Sequence, residues 1–184
     1  RHRLDEGNAI ALVPGLFTGN PAPSAGRMLL VTQKDGNAGV QICNITGNLP
    51  EALGGNGIAA VVICGRCGKE NGIIRISNQE VQLETLPGAT GKDTGRIVRA
   101  LRAVYGKNCA AVGIGPAGER KLSAAAVFST YAEGYPEYYV PRTCVGDVFG
   151  AKGLRAVVVE EESQARTHTL RNTENPECFE ILAT

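Results

Sequence analysis

Short apolar runs separated by glycine-containing turns dominate the first half of the chain. Four runs of five or six residues occupy positions 9–13, 28–32, 40–45 and 58–63. Runs of this length between turn residues are typical of β-strands, so we predict a strand over each of them. Two further runs, 73–76 and 81–83, flank the turn-prone residues 77–80 and predict an antiparallel hairpin.

The clearest helical spacing of apolar residues lies between positions 94 and 105. The shared face of this segment contains Ile97, Val98, Leu101, Val104 and Tyr105. Asp93 or Thr94 can cap the start of a helix here, and Gly106 can end it. We therefore predict a helix over Thr94–Tyr105 that packs this face against a sheet.

The remaining pattern completes an α+β fold. We predict further strands and helices at 109–112 (strand), 122–131 (helix), 145–152 (short helix) and 156–159 (strand). Because strands follow one another with few helices between them, we expect mostly antiparallel sheets with a few packed helices. Two glycine-rich halves of similar strand content, divided near Pro87-Gly88, favour two related halves.

Composition and charge restrict the domain count and the partners. The 184 residues are 43% hydrophobic and 20% charged, which is typical of a globular chain. The sequence turns polar after position 160, so we assign one domain to 1–160 and a tail or linker to 161–184. A net charge of +1 and the lack of a long apolar run lead us to expect neither nucleic acid nor a membrane as partner. Because the chain begins at Arg1 without Met or a signal segment, we expect an internal fragment.

The six cysteines favour a reducing compartment. They are Cys43, Cys64, Cys67, Cys109, Cys144 and Cys178. Disulfide frameworks belong to small secreted domains with little core, so we expect reduced thiols and a cytoplasmic location for this larger chain. Cys64 and Cys67 have the spacing of a redox or metal pair, but no second pair completes a set of four ligands. We therefore predict two ordinary thiols that bind no metal.

A three-glycine loop, Gly113, Gly115 and Gly118, follows the predicted strand 109–112. This spacing is typical of dinucleotide-binding loops, whose backbone N–H groups hold a pyrophosphate. Such a loop requires a parallel βαβ unit with an acidic residue at the end of its second strand. Here the second strand would fall in the tyrosine-rich segment 135–141, so a structural turn is the favoured interpretation.

Two arginines next to small-residue loops are candidate anion ligands. Arg27 follows the small residues 24–26, and Arg142 precedes the last predicted helix. The turn 36–39 adds glycines whose backbone N–H groups stay accessible. Guanidinium groups suit phosphate oxygens, so these loops could form one anion-binding surface. From the residues alone, three strand-connecting turns with solvated arginines are the simpler explanation.

Five segments in a fixed order carry more information than any single motif. They are 14–27, 37–39, 91–94, 114–119 and 150–157. Together they resemble the N-terminal domain of the aldehyde ferredoxin oxidoreductases, which are tungsten or molybdenum bis-pterin enzymes of anaerobes. The resemblance extends from about residue 6 to residue 159 and so covers nearly the whole chain.

The resemblance implies an α+β base domain on which a tungstopterin or molybdopterin lies. It assigns the pterin contacts to Arg27, Asn37, Ala38, Gly39 and Arg142, and it assigns no catalytic residue to this chain. A 4Fe-4S cluster would come from further domains or from a cluster-bearing partner subunit. The whole assembly would oxidise an aldehyde to a carboxylic acid and pass electrons through the cluster to ferredoxin. A homo-oligomer is compatible with this interpretation.

A second interpretation treats the chain as a non-catalytic structural or assembly subunit derived from this domain. The family's loop before the last helix is rich in glycine and arginine, whereas residues 138–144 contain two tyrosines and other larger side chains. Bulky side chains in this loop would hinder a close-lying cofactor. A nucleotide-binding enzyme built on Gly113, Gly115 and Gly118 is the third interpretation, and the unsuitable strand pattern counts against it.

Overall fold

Ten strands form two sheets in the computed structural model, which describes residues 2–20, 23–37, 39–77, 80–131, 138–140 and 145–160. The first sheet contains β1 (Ile10–Pro14), β2 (Arg27–Gln33), β3 (Val40–Thr46) and β4 (Val61–Ile63). Its spatial order is β3-β2-β1-β4, and all neighbouring strands are antiparallel. All four predicted strands are present, although the last is shorter than the predicted 58–63.

The second sheet is built from later parts of the chain. It contains β5 (Gly72–Ser77), β6 (Glu80–Thr85), β7 (Ala110–Ile114), β8 (Val127–Ser129), β9 (Tyr138–Tyr139) and β10 (Leu154–Val159). Its spatial order is β6-β5-β10-β7-β8-β9, and only the β5–β10 pair is parallel among these strands. The predicted α+β class is therefore confirmed. The chain passes between the sheets at residues 64–71, and not near Pro87 as predicted.

Helices fill the space between the sheets and cover the second sheet. Helix α1 (Asn48–Gly55) contacts strands of both sheets, and α2 (Thr94–Tyr105) packs on the far face of the second sheet. The short helices α3 (Pro116–Glu119) and α4 (Gly146–Ala151) pack against each other. No helix in the part of the chain that the structure describes is long and apolar enough to span a membrane.

Two apolar cores lie on opposite faces of the second sheet. In the larger core, Leu49 and Leu53 of α1 are fully buried between the two sheets. In the smaller core, Ile97, Val98 and Leu101 of α2 are buried against the other face. The central strands β7 and β10 are buried throughout, which explains their nearly continuous apolar sequences.

The face of the first sheet that points away from α1, which we call the outer face, is exposed in the described part of the chain. One row across the four strands contains Val62, Ala11, Val31 and Ile42. The next rows contain Val13, Leu29 and Asn44, and then Arg27 and Thr46. Because Val62 is 62% exposed and Ile42 56%, the centre of this face is apolar and accessible, while the Arg27 end is polar.

Three features of the fold differ from the sequence-based expectations. Residues 122–131, predicted as a helix, contain strand β8 instead. Val104, predicted to pack against the sheet, is 62% exposed because the buried face of α2 is centred on residues 97, 98 and 101. Helix α1 is absent from the predicted elements. Its Pro50 lies in the first turn, where a missing N–H breaks no helical hydrogen bond.

Replacing Asp93, the N-cap of α2, with alanine is expected to lower the Tm of the chain at neutral pH. The Asp93 carboxylate accepts a hydrogen bond from the Arg96 backbone N–H at 2.9 Å. This bond is the main reason that the pKa of Asp93 lies below its ordinary 3.8. A lowered folded-state pKa stabilises the protein above the unfolded-state pKa, and this stabilisation disappears as pH falls through the folded-state value.

The control for this prediction is Asp93→Asn, which caps a helix without titrating. We expect the Tm of Asp93→Asn at neutral pH to be close to that of the unmodified chain. Its Tm should fall less than that of the unmodified chain as the pH is lowered. Thermal unfolding followed by circular dichroism, from neutral pH to about pH 2, measures both effects. Equal Tm values for Asp93→Ala and the unmodified chain at neutral pH would contradict the capping role.

Candidate functional site

A cavity of about 320 Å³ opens beside Arg27, where the first sheet meets the start of α1. Its lining consists of Ser24, Gly26, Arg27, Thr46, Gly47, Asn48, Glu51 and Tyr131. These residues come from the start of β2, from the end of β3 together with α1, and from the segment after β8. Three distant parts of the sequence therefore meet at this cavity.

Backbone contacts fix the position of Arg27. It begins β2 directly opposite Thr46, the last residue of β3. The loop before it is held by the buried hydroxyl of Thr18, which lies 2.7 Å from the Ala25 carbonyl oxygen and 3.0 Å from the Arg27 carbonyl oxygen. The backbone of Arg27 is thus anchored while its side chain is exposed.

Gly47 turns the chain from β3 into α1. Its φ of +120° is strained for residues with a side chain, and a Cβ at this position would overlap Ser129 Oγ. Helix α1 therefore starts directly against β8, and the Asn48 N–H donates to the Thr130 carbonyl at 3.0 Å. No side chain caps this helix, so its first turn presents partial positive charge next to the cavity.

A polar network supports the wall of the cavity. The Thr130 hydroxyl donates to Asn48 Oδ1 at 2.6 Å, and Asn48 Nδ2 donates to the Cys109 carbonyl at 3.2 Å. On the adjacent wall, Tyr131 Oη and Thr46 Oγ1 lie 2.8 Å apart. Because these bonds hold Asn48 and Tyr131 in place, the wall keeps its shape without a ligand.

The charged groups of the cavity are Arg27 and Glu51. The Arg27 guanidinium makes no hydrogen bond or ion pair with the residues that the structure describes. Glu51 reaches back towards the same loop, since a Cβ on Gly26 would lie 2.7 Å from Glu51 Oε1. An anion in the cavity would meet one guanidinium and one helix N-terminus, with Glu51 opposing part of the attraction.

The structure separates the predicted site residues into two groups. Arg27 lies at the cavity, but Asn37 and Gly39 lie at the opposite end of the β2–β3 hairpin. The seven residues of β2 place these ends roughly 20 Å apart, at about 3.3 Å per residue. Ala38, the Asn37 side chain and Arg142 are outside the described residues.

Thr46, Gly47, Asn48 and Tyr131 surround Arg27, and sequence reasoning missed all four. Thr46 could have been found from the predicted strands 28–32 and 40–45. If these strands pair as an antiparallel hairpin, the end of β3 lies beside the start of β2. Asn48 and Tyr131 belong to segments whose secondary structure was not predicted or was predicted wrongly. Their approach to Arg27 depends on how α1 packs between the sheets.

Among the described residues, the three-glycine loop does not form a second candidate anion site, and the cysteines do not form a metal site. Strand β7 before the glycine loop is antiparallel to both neighbours, so Gly113 and Gly115 do not belong to a parallel βαβ unit. Cys43 and Cys109 are buried, Cys64 is exposed and Cys67 is half-buried. Within the described ranges, no three His, Cys, Asp or Glu residues are grouped closely enough to hold a metal ion.

Comparison with other proteins finds relatives that match most of the chain. A family model, Aldehyde ferredoxin oxidoreductase, N-terminal domain, matches residues 1–161. The tungsten-containing aldehyde ferredoxin oxidoreductase of Thermococcus kodakarensis is 30% identical over 154 residues, which cover 83% of this chain and 24% of the relative. The Pyrococcus furiosus relative is 28% identical over 158 residues, covering 85% and 25% respectively. The chain thus spans about a quarter of the length of these relatives.

A solved structure shares the fold. The active site complex BamBC of benzoyl coenzyme A reductase, in complex with 1,5-dienoyl-CoA, superposes with a TM-score of 0.76 at 22% identity. The match covers 88% of this chain and 24% of that chain. The two-sheet arrangement is therefore that of a known domain that occurs within longer chains. Together with the family model, this shows that the chain belongs to the aldehyde ferredoxin oxidoreductase family and corresponds to its N-terminal domain.

Proposed function

We propose that this chain is the base domain on which a tungstopterin or molybdopterin binds in an oxidoreductase of the aldehyde:ferredoxin type. The observation that carries this function is the cavity in which the exposed Arg27 guanidinium lies beside the N-terminus of α1, which no side chain caps. Both features attract phosphate groups, which pterin cofactors of this kind carry. When bound, the metallopterin supplies the two-electron redox chemistry that converts an aldehyde into a carboxylic acid.

The residues at the cavity fit an anionic, partly aromatic group. Gly26 and Gly47 leave space beside the Arg27 backbone, and Tyr131 contributes an aromatic wall. Arg27 would bind a phosphate, while Asn48 and Tyr131, held by their own hydrogen bonds, would orient the bound group. Glu51 is the one lining residue of unfavourable charge, and its exposed side chain can rotate away.

A ligand with two pterins extends beyond a cavity of about 320 Å³. We therefore propose Arg27 as the contact at one end of the ligand and the turn of Asn37, Ala38 and Gly39 as the contact at the other end. Arg142 completes this proposed set. Between the two ends lies the outer face, whose apolar centre would accept an uncharged ring system or a covering domain.

Catalysis by this base domain requires further protein. The relatives are about four times as long as the matched region, and the described residues contain no group of ligands for a metal or cluster. We propose that a cluster-bearing domain or subunit covers the exposed outer face, and that ferredoxin accepts the electrons from that 4Fe-4S cluster in the cytoplasm. The chain's own contribution is to bind and orient the cofactor.

Replacing Arg27 with alanine is expected to remove most of the bound tungsten or molybdenum without unfolding the domain. The Arg27 side chain is exposed and unpaired with described residues, so its loss should change Tm little. Metal content by mass spectrometry and pterin content by fluorescence, on protein purified natively with its partners, measure the loss. Arg99→Ala, which removes an exposed arginine of α2, is the matched control and should keep the cofactor.

Metal-free, pterin-free native protein would contradict the proposed function and favour the second candidate, a non-catalytic assembly subunit. The accessible apolar rows of the outer face support this candidate, because such a face is suited to a protein partner. In that case Ile42→Asp and Val62→Asp on the outer face should abolish partner binding, whereas Arg27→Ala should leave it unchanged.

A further inference from the structure

The loop between the two sheets carries two thiols on one groove. Cys64 directly follows β4, and Cys67 lies three residues later, before β5 begins. Both line a groove of about 260 Å³ whose other wall contains Val81 and Leu83 of the edge strand β6. Cys64 is exposed and Cys67 half-buried, so a reagent that enters this groove can reach the first thiol directly.

Lys152 holds this loop from both sides. Its ammonium donates to the Gly65 carbonyl at 2.8 Å, and its own carbonyl accepts a hydrogen bond from the Cys67 N–H at 2.8 Å. These two hydrogen bonds are made with Gly65, which follows Cys64, and with Cys67 itself. The CxxC segment is therefore fastened to the end of α4, and the two cysteines are kept on the same wall of the groove.

The Lys152 ammonium is itself unusual, because the residue is only 2% exposed and forms no ion pair within 4.0 Å among the described residues. Its ammonium donates to backbone carbonyls, of Gly65 and, at 3.4 Å, of Glu6. Burial lowers the pKa of Lys152, while Coulomb attraction to Cys64 and Glu6 raises it and Arg66 lowers it. Lys152 therefore acts on the two thiols through the backbone that it holds, at the Gly65 carbonyl and at the Cys67 N–H.

From this arrangement we propose that Cys64 and Cys67 form a redox dithiol that is oxidised by disulfides, with Cys64 as the attacking thiol and Cys67 as the resolving thiol. The Cys64 thiolate attacks a disulfide R–S–S–R and forms Cys64–S–S–R, releasing the first RS⁻. The Cys67 thiolate then attacks Cys64 Sγ, forms the Cys64–Cys67 bond and releases the second RS⁻. Both leaving thiolates take up the protons that the two cysteines lost. Two electrons pass from the protein dithiol to the disulfide, which ends as two thiols.

This role differs from that expected from the sequence, which predicted two ordinary thiols. No helix begins directly after Cys67, since residues 68–71 form turns before β5. The CxxC segment is held instead by Lys152, a residue 85 positions after Cys67 in the sequence, through its hydrogen bonds to Gly65 and Cys67.

Oxidation by glutathione disulfide tests the proposed dithiol. The reduced chain is incubated with oxidised glutathione, free thiols are alkylated after denaturation, and the chain is digested with trypsin. Trypsin cleaves after Arg66, so a Cys64–Cys67 bond keeps two peptides joined, and fragmentation identifies the bonded sulfurs. We expect this linked pair as the main product. A Cys64–Cys178 bond, or unmodified Cys64 and Cys67, would overturn the proposed dithiol.

Three variants separate the roles of the residues. Cys67→Ser should accumulate a glutathione mixed disulfide on Cys64, and Cys64→Ser should leave Cys67 reduced. Cys109→Ser, at a buried thiol, is the matched control and should leave the Cys64–Cys67 bond unchanged. Equal glutathione adducts on Cys64 and Cys67 in the single variants would contradict the assigned order of attack.

The positioning role of Lys152 is tested with Lys152→Met, which has a similar length and no charge. We expect oxidation of the pair to slow by about tenfold, because the loop loses its hydrogen bond at the Gly65 carbonyl, while Cys43 and Cys109 remain protected from alkylation before denaturation. An unchanged rate would remove Lys152 from the proposed dithiol. A disulfide-containing peptide with apolar residues is compared with glutathione: faster oxidation by the peptide identifies a polypeptide as the oxidant, because it can contact Val81 and Leu83.

Discussion

Replacing Arg155 with methionine is expected to lower the free energy of unfolding by about 3–5 kcal/mol. Arg155 lies in β10 and is only 1% exposed. Its guanidinium donates to Glu119 Oε2 at 2.6 Å, to the Ala89 carbonyl at 2.9 Å and to Asn71 Oδ1 at 3.0 Å. Methionine fills much of the same volume but donates no hydrogen bond, so the loss comes from acceptors that each lose a partner.

Urea denaturation followed by circular dichroism measures this loss. The matched control is Arg96→Met, which removes an arginine whose ion pair with Asp93 has both side chains more than 60% exposed. We expect no measurable change in stability for this control, since water replaces an exposed ion pair. A loss of less than about 1 kcal/mol for Arg155→Met would contradict the structural role, because a buried hydrogen-bonded arginine costs more to remove.

The Arg155–Glu119 pair also makes stability depend on pH. Burial alone would raise the pKa of Glu119, but hydrogen bonds from Arg155 and the Gly91 N–H lower it further than burial raises it. The net pKa therefore lies below the ordinary 4.5, and the stabilisation is present above that value and lost as pH falls through the folded-state pKa. In Arg155→Met this part of the acid dependence should shrink.

Replacing Gly150 with alanine is expected to destabilise the protein by about 2–3 kcal/mol. A Cβ at Gly150 of α4 would overlap the Gly118 carbonyl oxygen of α3, which is backbone and cannot rotate away. Gly118 is also tight, because its own Cβ would lie 2.9 Å from the Gly146 carbonyl oxygen. The two helices can approach this closely only without side chains at the contact, so a methyl group must push them apart.

Gly55→Ala is the control for this prediction. Gly55 ends α1 and has an ordinary φ, and a Cβ added there would meet no neighbouring atom within 4 Å. The same substitution should therefore be neutral or raise stability by up to about 1 kcal/mol through helix propensity. Chemical denaturation of both variants gives the comparison. If Gly150→Ala is as stable as Gly55→Ala, the α3–α4 contact is looser than the structure shows.

The parts of the fold that sequence reasoning found are those with a strong local pattern. Strands β1, β2 and β3 alternate or cluster apolar residues between turn residues, and α2 begins and ends at the predicted residues because Asp93 and Gly106 are clear boundary signals. The same local logic failed for Val104, since the buried residues of α2 are Thr94, Ile97, Val98 and Leu101 and Val104 is exposed.

Tertiary contacts decided the parts that sequence reasoning missed. The alanines at 124–126 favour a helix locally, but the next residues pair with β7 as strand β8 because the second sheet needs a neighbour there. Pro50 and the glycines at 47, 54 and 55 hide the helical pattern of α1 in the sequence. This helix forms because Leu49 and Leu53 are buried between the two sheets. The candidate site also depends on tertiary packing. The family resemblance identified Arg27, but Thr46, Asn48 and Tyr131 come next to it only because these elements pack together.

The place of β10 in the second sheet has a consequence for the order of folding. This strand, residues 154–159, lies between β5 and β7, which are about 80 and 40 residues earlier in the sequence. During synthesis β5–β6 and β7–β8 can pair as separate hairpins, but each exposes an open edge until β10 leaves the ribosome. The second sheet therefore becomes continuous only at the end of the domain's synthesis, and a nascent chain that stalls before residue 154 presents two apolar edges to its neighbours.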